Sequence, residues 1–427
     1  MRARKYWVFL AITLLTPVLL LGLAEGIARA VWPEGALPLF VTAPVGDGRY
    51  LVANRTVARR WFARERVPPA PMMEPFAARK PPNGYRVFVL GESSTAGFPY
   101  SRNGTFSRVL RDMLRDVLPT DSVEVINLGI AATNSYALVD IAREVAAQSP
   151  DAVVIYAGHN EYYGALGAAS SENVVGSSPI VKRAYLWMLR SRIVLALRHA
   201  LWRPASGGPG SGGEDASLME ALAGNREIPL DSELYRRGVR QFERNLTRLA
   251  AIFRDENVPV FIGSLASNLR DQRPLVARAN RGPSRAEGVY LDARRARAMG
   301  DLALAQMLYI RARDLDVVRF RAPTEFNLVI DRVAKATGAR YVGIAEAAAR
   351  EAPAGAPGGE FFLEHVHPNR TGHAIIGRVF FESLRDAGFG GRRAQLDRLR
   401  SPAEYFAAME LTAFDERIVR HTVRTLT

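Results

Sequence analysis

Arg86-Val87-Phe88-Val89-Leu90-Gly91-Glu92-Ser93-Ser94 is the stretch that decides the fold. A continuous apolar run of this length, closed by Gly and polar residues, reads as a strand buried on both faces. Ser93 then stands where the strand gives way to a helix. Four more runs have the same character: Val123–Leu128, Ala152–Ala157, Val258–Gly263 and Arg340–Ile344. Helical patterns fill the intervals at Thr105–Val117, Tyr136–Gln148, Ser232–Glu256, Thr324–Thr337 and Asn369–Ala387. Such alternation predicts an α/β fold, with a five-stranded parallel sheet covered by helices on both faces. Ligands of such sheets bind at the carboxyl ends of the strands.

The chain has 427 residues, of which 48% are hydrophobic and 23% charged, enough for a large buried core in one domain with insertions or in two domains. Lys and Arg number 57 against 43 Asp and Glu, a net charge of +14. That balance favours anionic partners such as phospholipid headgroups or acidic glycans. No nucleic-acid-binding motif accompanies it, and no nucleic-acid partner is expected. Cysteine is absent, which excludes disulfides, thiolate catalysis and Cys-ligated zinc.

Arg2, Arg4 and Lys5 precede an apolar run from Tyr6 to Ala24, about long enough to cross a bilayer as a helix. Residues 1–30 are therefore expected to be a single-pass transmembrane anchor of the cell inner membrane. The basic cluster should stay cytoplasmic and everything after Glu25 should be periplasmic or otherwise extracytoplasmic. Cleavage after Ala28-Arg29-Ala30 is the competing reading, and it too exports the remainder. Residues 31–84, rich in Pro and Arg, read as a linker and lead-in to a domain at 85–390. Two insertions interrupt that domain. The first, 165–229, carries a Gly/Ser/Pro-rich middle at Ser206–Gly213 that should be flexible. The second, 283–317, reads as a helical hairpin in which Ala293, Ala296, Gly300, Ala305, Tyr309 and Ala312 follow the spacing of one tetratricopeptide-type repeat. One repeat cannot bury its own apolar face, so it must pack on the main domain or on a protein partner. In 391–427, the capping-box arrangement Ser401-Pro402-Ala403-Glu404 opens a single expected helix, Pro402–Thr422.

The chemistry-bearing motifs sit at strand ends: Gly91-Glu92-Ser93-Ser94, then Gly129, then Gly158-His159-Asn160-Glu161. Glu364-His365-Val366-His367-Pro368 follows much later, before a helix. Parallel strands bring equivalent ends to one rim. A Ser hydroxyl there is a poor nucleophile until a base takes its proton. His367 is the candidate base, and Glu364 could hold its imidazole in the required tautomer. The N–H groups of Ser93 and Gly129 and the side-chain amide of Asn160 would supply three donors to an oxyanion.

Together these four stretches resemble the four blocks of the SGNH (GDSL-type) hydrolase superfamily, in the family's order. The resemblance covers about Arg86–Ala387 outside the insertions. It implies a flavodoxin-like three-layer α/β/α sandwich, with Ser93 as nucleophile, Gly129 and Asn160 as oxyanion donors, His367 as base and no cofactor. The sequences 157–164 and 364–369 also resemble a subgroup of bacterial envelope proteins linked to tetratricopeptide repeats. Glu stands at 92, 161 and 364, where the family more commonly has Asp. At 364 this leaves two readings, a triad or a Ser93–His367 dyad.

Each of these residues has a plainer alternative. Ser93 could be a helix N-cap, Asn160 a turn former, and His365 or His373 the base. The basic, aromatic segment Lys182–Arg203 reads equally as a membrane-surface helix or as a lid over the site. Arg319 and Arg321, flanking Phe320, could clamp an anionic part of the substrate by bidentate bonds, or could be an ordinary solvated helix terminus. The histidines match no common zinc spacing, so no metal is expected. The leading expectation is a serine esterase acting on an O-acylated envelope glycan or lipid. An extracytoplasmic O-acyltransferase using the same residues is one alternative. A membrane-tethered binding module with a degenerate site is the other.

Overall fold

The computed structural model describes residues 2–32, 37–44, 48–62, 68–100, 103–119, 121–171, 178–201, 226–275 and 285–426. The stretch Ser206–Gly213 lies outside the described residues, as do Trp202 and Arg203.

The main sheet has the five expected strands, all parallel: β4 (Gly84–Gly91), β5 (Ser122–Gly129), β6 (Ala152–Tyr156), β7 (Val260–Gly263) and β8 (Arg340–Val342), in the order β5-β4-β6-β7-β8. Every residue of β4 is buried, as the apolar run Val87–Leu90 requires, and Arg86 within it is paired with Glu124 at 2.7 Å. Burying one such Val, Leu or Phe side chain contributes roughly 1.5–3 kcal/mol. Gly91 sits in register with Gly129 on one side and Tyr156 on the other. The chain leaves β4 in one direction and returns to its other edge, which is the flavodoxin-like order. It opens a crevice between the ends of β4 and β6.

Helices cover both faces, and most start at a side-chain cap that satisfies their free amides. One layer holds α3 (Phe106–Val117, capped by Thr105), α12 (Arg370–Asp386, capped by Asn369) and α11 (Ile344–Glu351). The other holds α4 (Ser135–Ala146, capped by Asn134), α7 (Glu233–Asp255, capped by Ser232) and α10 (Thr324–Thr337). The short α2 (Ser93–Ala96) follows β4 directly. Helix α1 (Arg2–Val31) contains one span, Lys5–Val31, long and apolar enough to cross a membrane, and none of it is buried in the protein.

The segment expected to be a linker is built into the core instead. Strands β1 (Phe40–Thr42), β2 (Tyr50–Ala53) and β3 (Phe76–Ala77) form an antiparallel sheet. Phe76 packs edge-on against Phe88 of β4 with ring centroids 5.6 Å apart, and Trp61 and Phe62 are buried nearby.

The single C-terminal helix expected over Pro402–Thr422 is two helices, α13 (Pro402–Ala407) and α14 (Ala413–Leu426). The chain breaks at Glu410, whose φ is +52°, and restarts where Thr412 and Asp415 exchange side-chain and backbone hydrogen bonds.

Within the first insertion lie α5 (Pro179–Met188) and α6 (Arg192–Leu201). The second holds two helices, α8 (Arg285–Ala298) and α9 (Leu302–Leu315), packed against each other. Its Tyr290, Ala293, Ala296, Ala305, Tyr309 and Ala312 close a small core together with Leu269 and Ala356 of the main domain. Several bonds join it to the main domain: Tyr290 Oη donates to Arg270 O at 2.8 Å, Gln306 Nε2 donates to Gly355 O at 2.7 Å, and Thr324 N–H donates to Asp314 Oδ1 at 3.0 Å.

Candidate active site

Strand β4 delivers Ser93 to the rim of the sheet in the first turn of α2. The turn is tight because residue 91 is Gly: a Cβ there would fall 2.0 Å from Thr95 Oγ1 and 2.3 Å from Tyr156 O. Two hydrogen bonds lock the turn from the side. Thr95 Oγ1 donates to Tyr156 O at 2.8 Å, and Ser94 Oγ donates to Val366 O at 3.2 Å. The second bond ties the turn to the loop that carries His367.

That loop is a narrow hairpin in which Leu363 N–H donates to His367 O at 2.9 Å. It places His367 Nε2 2.8 Å from Ser93 Oγ, and His367 Nδ1 2.6 Å from Glu364 Oε1. Glu364 is buried and turned back on its own loop. It accepts the N–H of His367 at 2.8 Å and of His365 at 2.7 Å, and it also contacts His365 Nδ1. The longer Glu side chain thus reaches the imidazole without losing hydrogen-bond geometry. Ser93 and His367 are each half-buried, open to an incoming ligand. Phe98 packs edge-on against the His367 ring with centroids 4.9 Å apart.

Across the crevice, Asn160 is buried and its side-chain nitrogen has no partner among the described residues. An unpaired amide in the interior is costly, and this one lies in the loop leaving β6, across from α2. Glu92 fixes the loop's height. Its carboxyl accepts the N–H of Gly158 at 3.0 Å and of Asn160 at 3.1 Å. Burial pushes Glu92 up to about 8, opposed by these amide bonds and reinforced by the charge of Glu161.

Gly129 departs from its expected role. Its N–H donates to Asn127 Oδ1 at 2.8 Å and so does not face an oxyanion site. Its lack of a side chain serves close packing: a Cβ there would sit 2.2 Å from Ala96 N. Asn127 also donates through Nδ2 to Thr95 O at 2.6 Å and to Ser107 Oγ at 2.9 Å, so one amide braces the whole turn. The sequence carried a signal for this: an Asn side chain readily bonds the backbone two residues on.

Arg319 and Arg321 do not form the expected clamp. Both are buried. Arg319 donates to Ile228 O at 2.9 Å and Asp314 O at 2.7 Å. Arg321 donates to Asn268 O at 2.9 Å and pairs with Asp316 at 3.1 Å. Their segment instead backs the rim, where Ala322 N–H donates to His159 Nδ1 at 3.2 Å. Accepting there leaves His159 neutral, and burial lowers it to about 3. Of the other candidate bases, His365 contacts Glu364 through Nδ1, and His373 is fully buried near Phe106 and Tyr100 with no hydrogen bond to Ser93. No cluster of three or more His, Asp or Glu side chains suited to a metal occurs among the described residues.

A polar network missed in the sequence lies behind Asn160. Glu161 is fully buried and accepts from Ser135 Oγ at 2.8 Å and Gln241 Nε2 at 2.5 Å. Asn245 donates to Ser135 Oγ at 2.8 Å, and Lys182 of α5 donates to Leu166 O at 2.6 Å. Burial raises Glu161 to about 7 and lowers Lys182 to about 8.

Among solved structures, an acetyl xylan esterase is 14% identical with a TM-score of 0.37, the alignment covering 70% of this chain and 99% of that one. A catalytic mutant of an acetylxylan esterase from Geobacillus stearothermophilus is 14% identical with a TM-score of 0.37, covering 74% and 97%. A GDSL-like lipase from Bacteroides thetaiotaomicron is 14% identical with a TM-score of 0.36, covering 73% and 93%. No curated protein matches the chain. The model of the GDSL-like lipase/acylhydrolase family matches residues 89–375, from within β4 into α12. Matching over most of its length, the chain belongs to the GDSL-like lipase/acylhydrolase family and is a hydrolase of carboxylic esters.

Proposed function

We propose that this chain is a membrane-anchored serine esterase that removes acyl groups from an O-acylated glycan or lipid of the cell envelope. The observation that carries the reading is the continuous hydrogen-bonded line Ser93 Oγ–His367 Nε2 (2.8 Å) and His367 Nδ1–Glu364 Oε1 (2.6 Å). His367 Nε2 accepts the Ser93 proton as Oγ attacks the acyl carbonyl. Glu364 stabilises the imidazolium and keeps Nδ1 protonated. The oxyanion is met by two donors, the Ser93 N–H at the start of α2 and Asn160 Nδ2. His367 then returns the proton to the leaving alcohol, and the carbonyl–oxygen bond to that alcohol breaks. Water, deprotonated by the same imidazole, releases the acid and restores Ser93.

In this reading residues 1–30 anchor the chain in the inner membrane and 85–390 form the hydrolase domain outside the cytoplasm. The helical hairpin at 283–317 is the one segment offered to a protein partner. The support for the anchor is the exposed apolar span Lys5–Val31, with basic residues before it. The deciding experiment is Ser93→Ala in the full chain, with a short-chain aryl ester as substrate. Hydrolysis is expected to fall to background while circular dichroism and the melting temperature are unchanged. Activity surviving in a folded variant overturns the mechanism.

A further inference from the structure

The elbow between α5 and α6 is tied to the far end of α1. Glu25 of α1 accepts from Ser191 Oγ at 2.7 Å, from Arg192 N–H at 2.9 Å and from Ile193 N–H at 3.1 Å. The two amides belong to the first turn of α6, so a side chain from a distant helix adds to the local cap, in which Ser191 Oγ accepts the Val194 N–H at 3.3 Å. Arg192 Nε adds a bond to Trp32 O at 3.3 Å. On its other side the hairpin is fixed to the catalytic domain. Arg198 donates to Arg60 O at 3.0 Å, and Lys182 donates to Leu166 O.

The elbow's depth follows from this attachment, given the reading of α1 as a membrane span. Trp7 and Trp32 bracket the apolar run, as interfacial aromatics do at the two surfaces of a bilayer. Glu25 precedes Trp32 by seven residues, which is about 10 Å nearer the hydrocarbon at 1.5 Å per residue. An elbow bonded to Glu25 sits at that level. The side chains around it suit the position. Trp187 is 71% exposed and Ile180 is 70% exposed, and Val181, Met188 and Leu197 are exposed as well. Arg183 and Arg190 lie in the same stretch, the charge that anionic headgroups attract. An apolar set of this size on a water-facing hairpin has no use in a soluble monomer.

We propose that the α5–α6 hairpin lies in the interfacial layer of the bilayer that α1 crosses. It is a second membrane contact that holds the catalytic domain at a fixed tilt over the lipid. The inference rests on the anchor reading, and its test separates the two. Because the chain has no Cys, single cysteines can be placed and spin-labelled in the full chain. Leu14→Cys reports the middle of α1, Trp187→Cys the elbow and Lys335→Cys the solvated surface of α10. All three positions are exposed in the structure, so folding is not at stake. The probe is a vesicle of phosphatidylcholine with phosphatidylglycerol, read by collision with oxygen and with a water-soluble nickel chelate. Leu14→Cys and Trp187→Cys are both expected to lose nickel collisions relative to Lys335→Cys, with Trp187→Cys the shallower. If Leu14→Cys is protected but Trp187→Cys collides with nickel as Lys335→Cys does, the interfacial hairpin is overturned and the anchor stands. If Leu14→Cys is itself fully accessible to nickel, the anchor reading fails and the hairpin proposal with it.

Discussion

Glu92 grips Asn160 by the main chain: its Oε2 accepts the Asn160 N–H at 3.1 Å while Oε1 accepts that of Gly158 at 3.0 Å. The residue beside Ser93 therefore sets the position of the amide across the crevice. Glu92→Gln preserves the shape but offers one acceptor oxygen, and its NH2 must face a backbone donor. Losing one such bond costs about 0.5–1.5 kcal/mol. Assayed above about pH 8, where the Glu92 carboxyl is ionised, turnover of an aryl ester is expected to drop roughly two- to tenfold, by loss of kcat rather than a rise in KM. Unaltered kcat in this variant would show that the loop holds its place without the carboxyl.

Asn160→Ala removes the unpartnered amide while leaving the line from Ser93 to Glu364 untouched. With the Gly129 N–H held by Asn127, only the Ser93 N–H remains to face an oxyanion. The expected loss in kcat is on the order of 10²–10³-fold. Labelling of Ser93 by a fluorophosphonate should persist at a reduced rate, since the nucleophile and base are intact. A variant within a few-fold of the parent rate would take Asn160 out of the reaction.

The two buried carboxyls tie stability to pH. Burial raises Glu161 to about 7 and Glu92 to about 8. A raised carboxyl favours the protonated form in the fold. Its contribution is complete below the ordinary carboxylate range and is lost as pH rises through the raised value. The melting temperature is therefore expected to fall as pH goes from about 5 to about 8. Glu161→Gln cannot ionise and should flatten part of that slope. Calorimetry of both proteins across this range decides the matter: identical slopes would exonerate Glu161.

Most of the sheet was legible because its strands are short, mostly apolar runs with Gly at or just past the end, and because Thr105, Ser232 and Asn369 announce their helices as caps. Strands β1 to β3 escaped notice because two to four residues carry no period. What fixes them is the long-range packing of Phe76 and Trp61. The break in the C-terminal stretch was readable: Thr412 and Asp415 repeat the capping logic of Ser401 and Glu404. Arg319 and Arg321 were assigned outward because Arg is usually exposed. Nothing local distinguishes a solvated guanidinium from one bonded to distant carbonyls such as those of Ile228 and Asn268. The Ser93–His367 approach was legible as strand ends meeting at a rim. Glu92's grip was not, since it depends on the height at which two loops leave the sheet.

Strand β4 lies in the interior of the sheet, laddered to β5 along its whole length and to β6 over its last five residues. Sliding its tip by even one residue would break both ladders at once and turn every side chain to the opposite face. The hydroxyl of Ser93 therefore inherits its coordinates from a strand laddered on both sides. Loops, hairpins and terminal helices can lengthen, shrink or be exchanged at the periphery without retuning that atom. This gives the architecture a fixed chemical centre with freely variable surroundings.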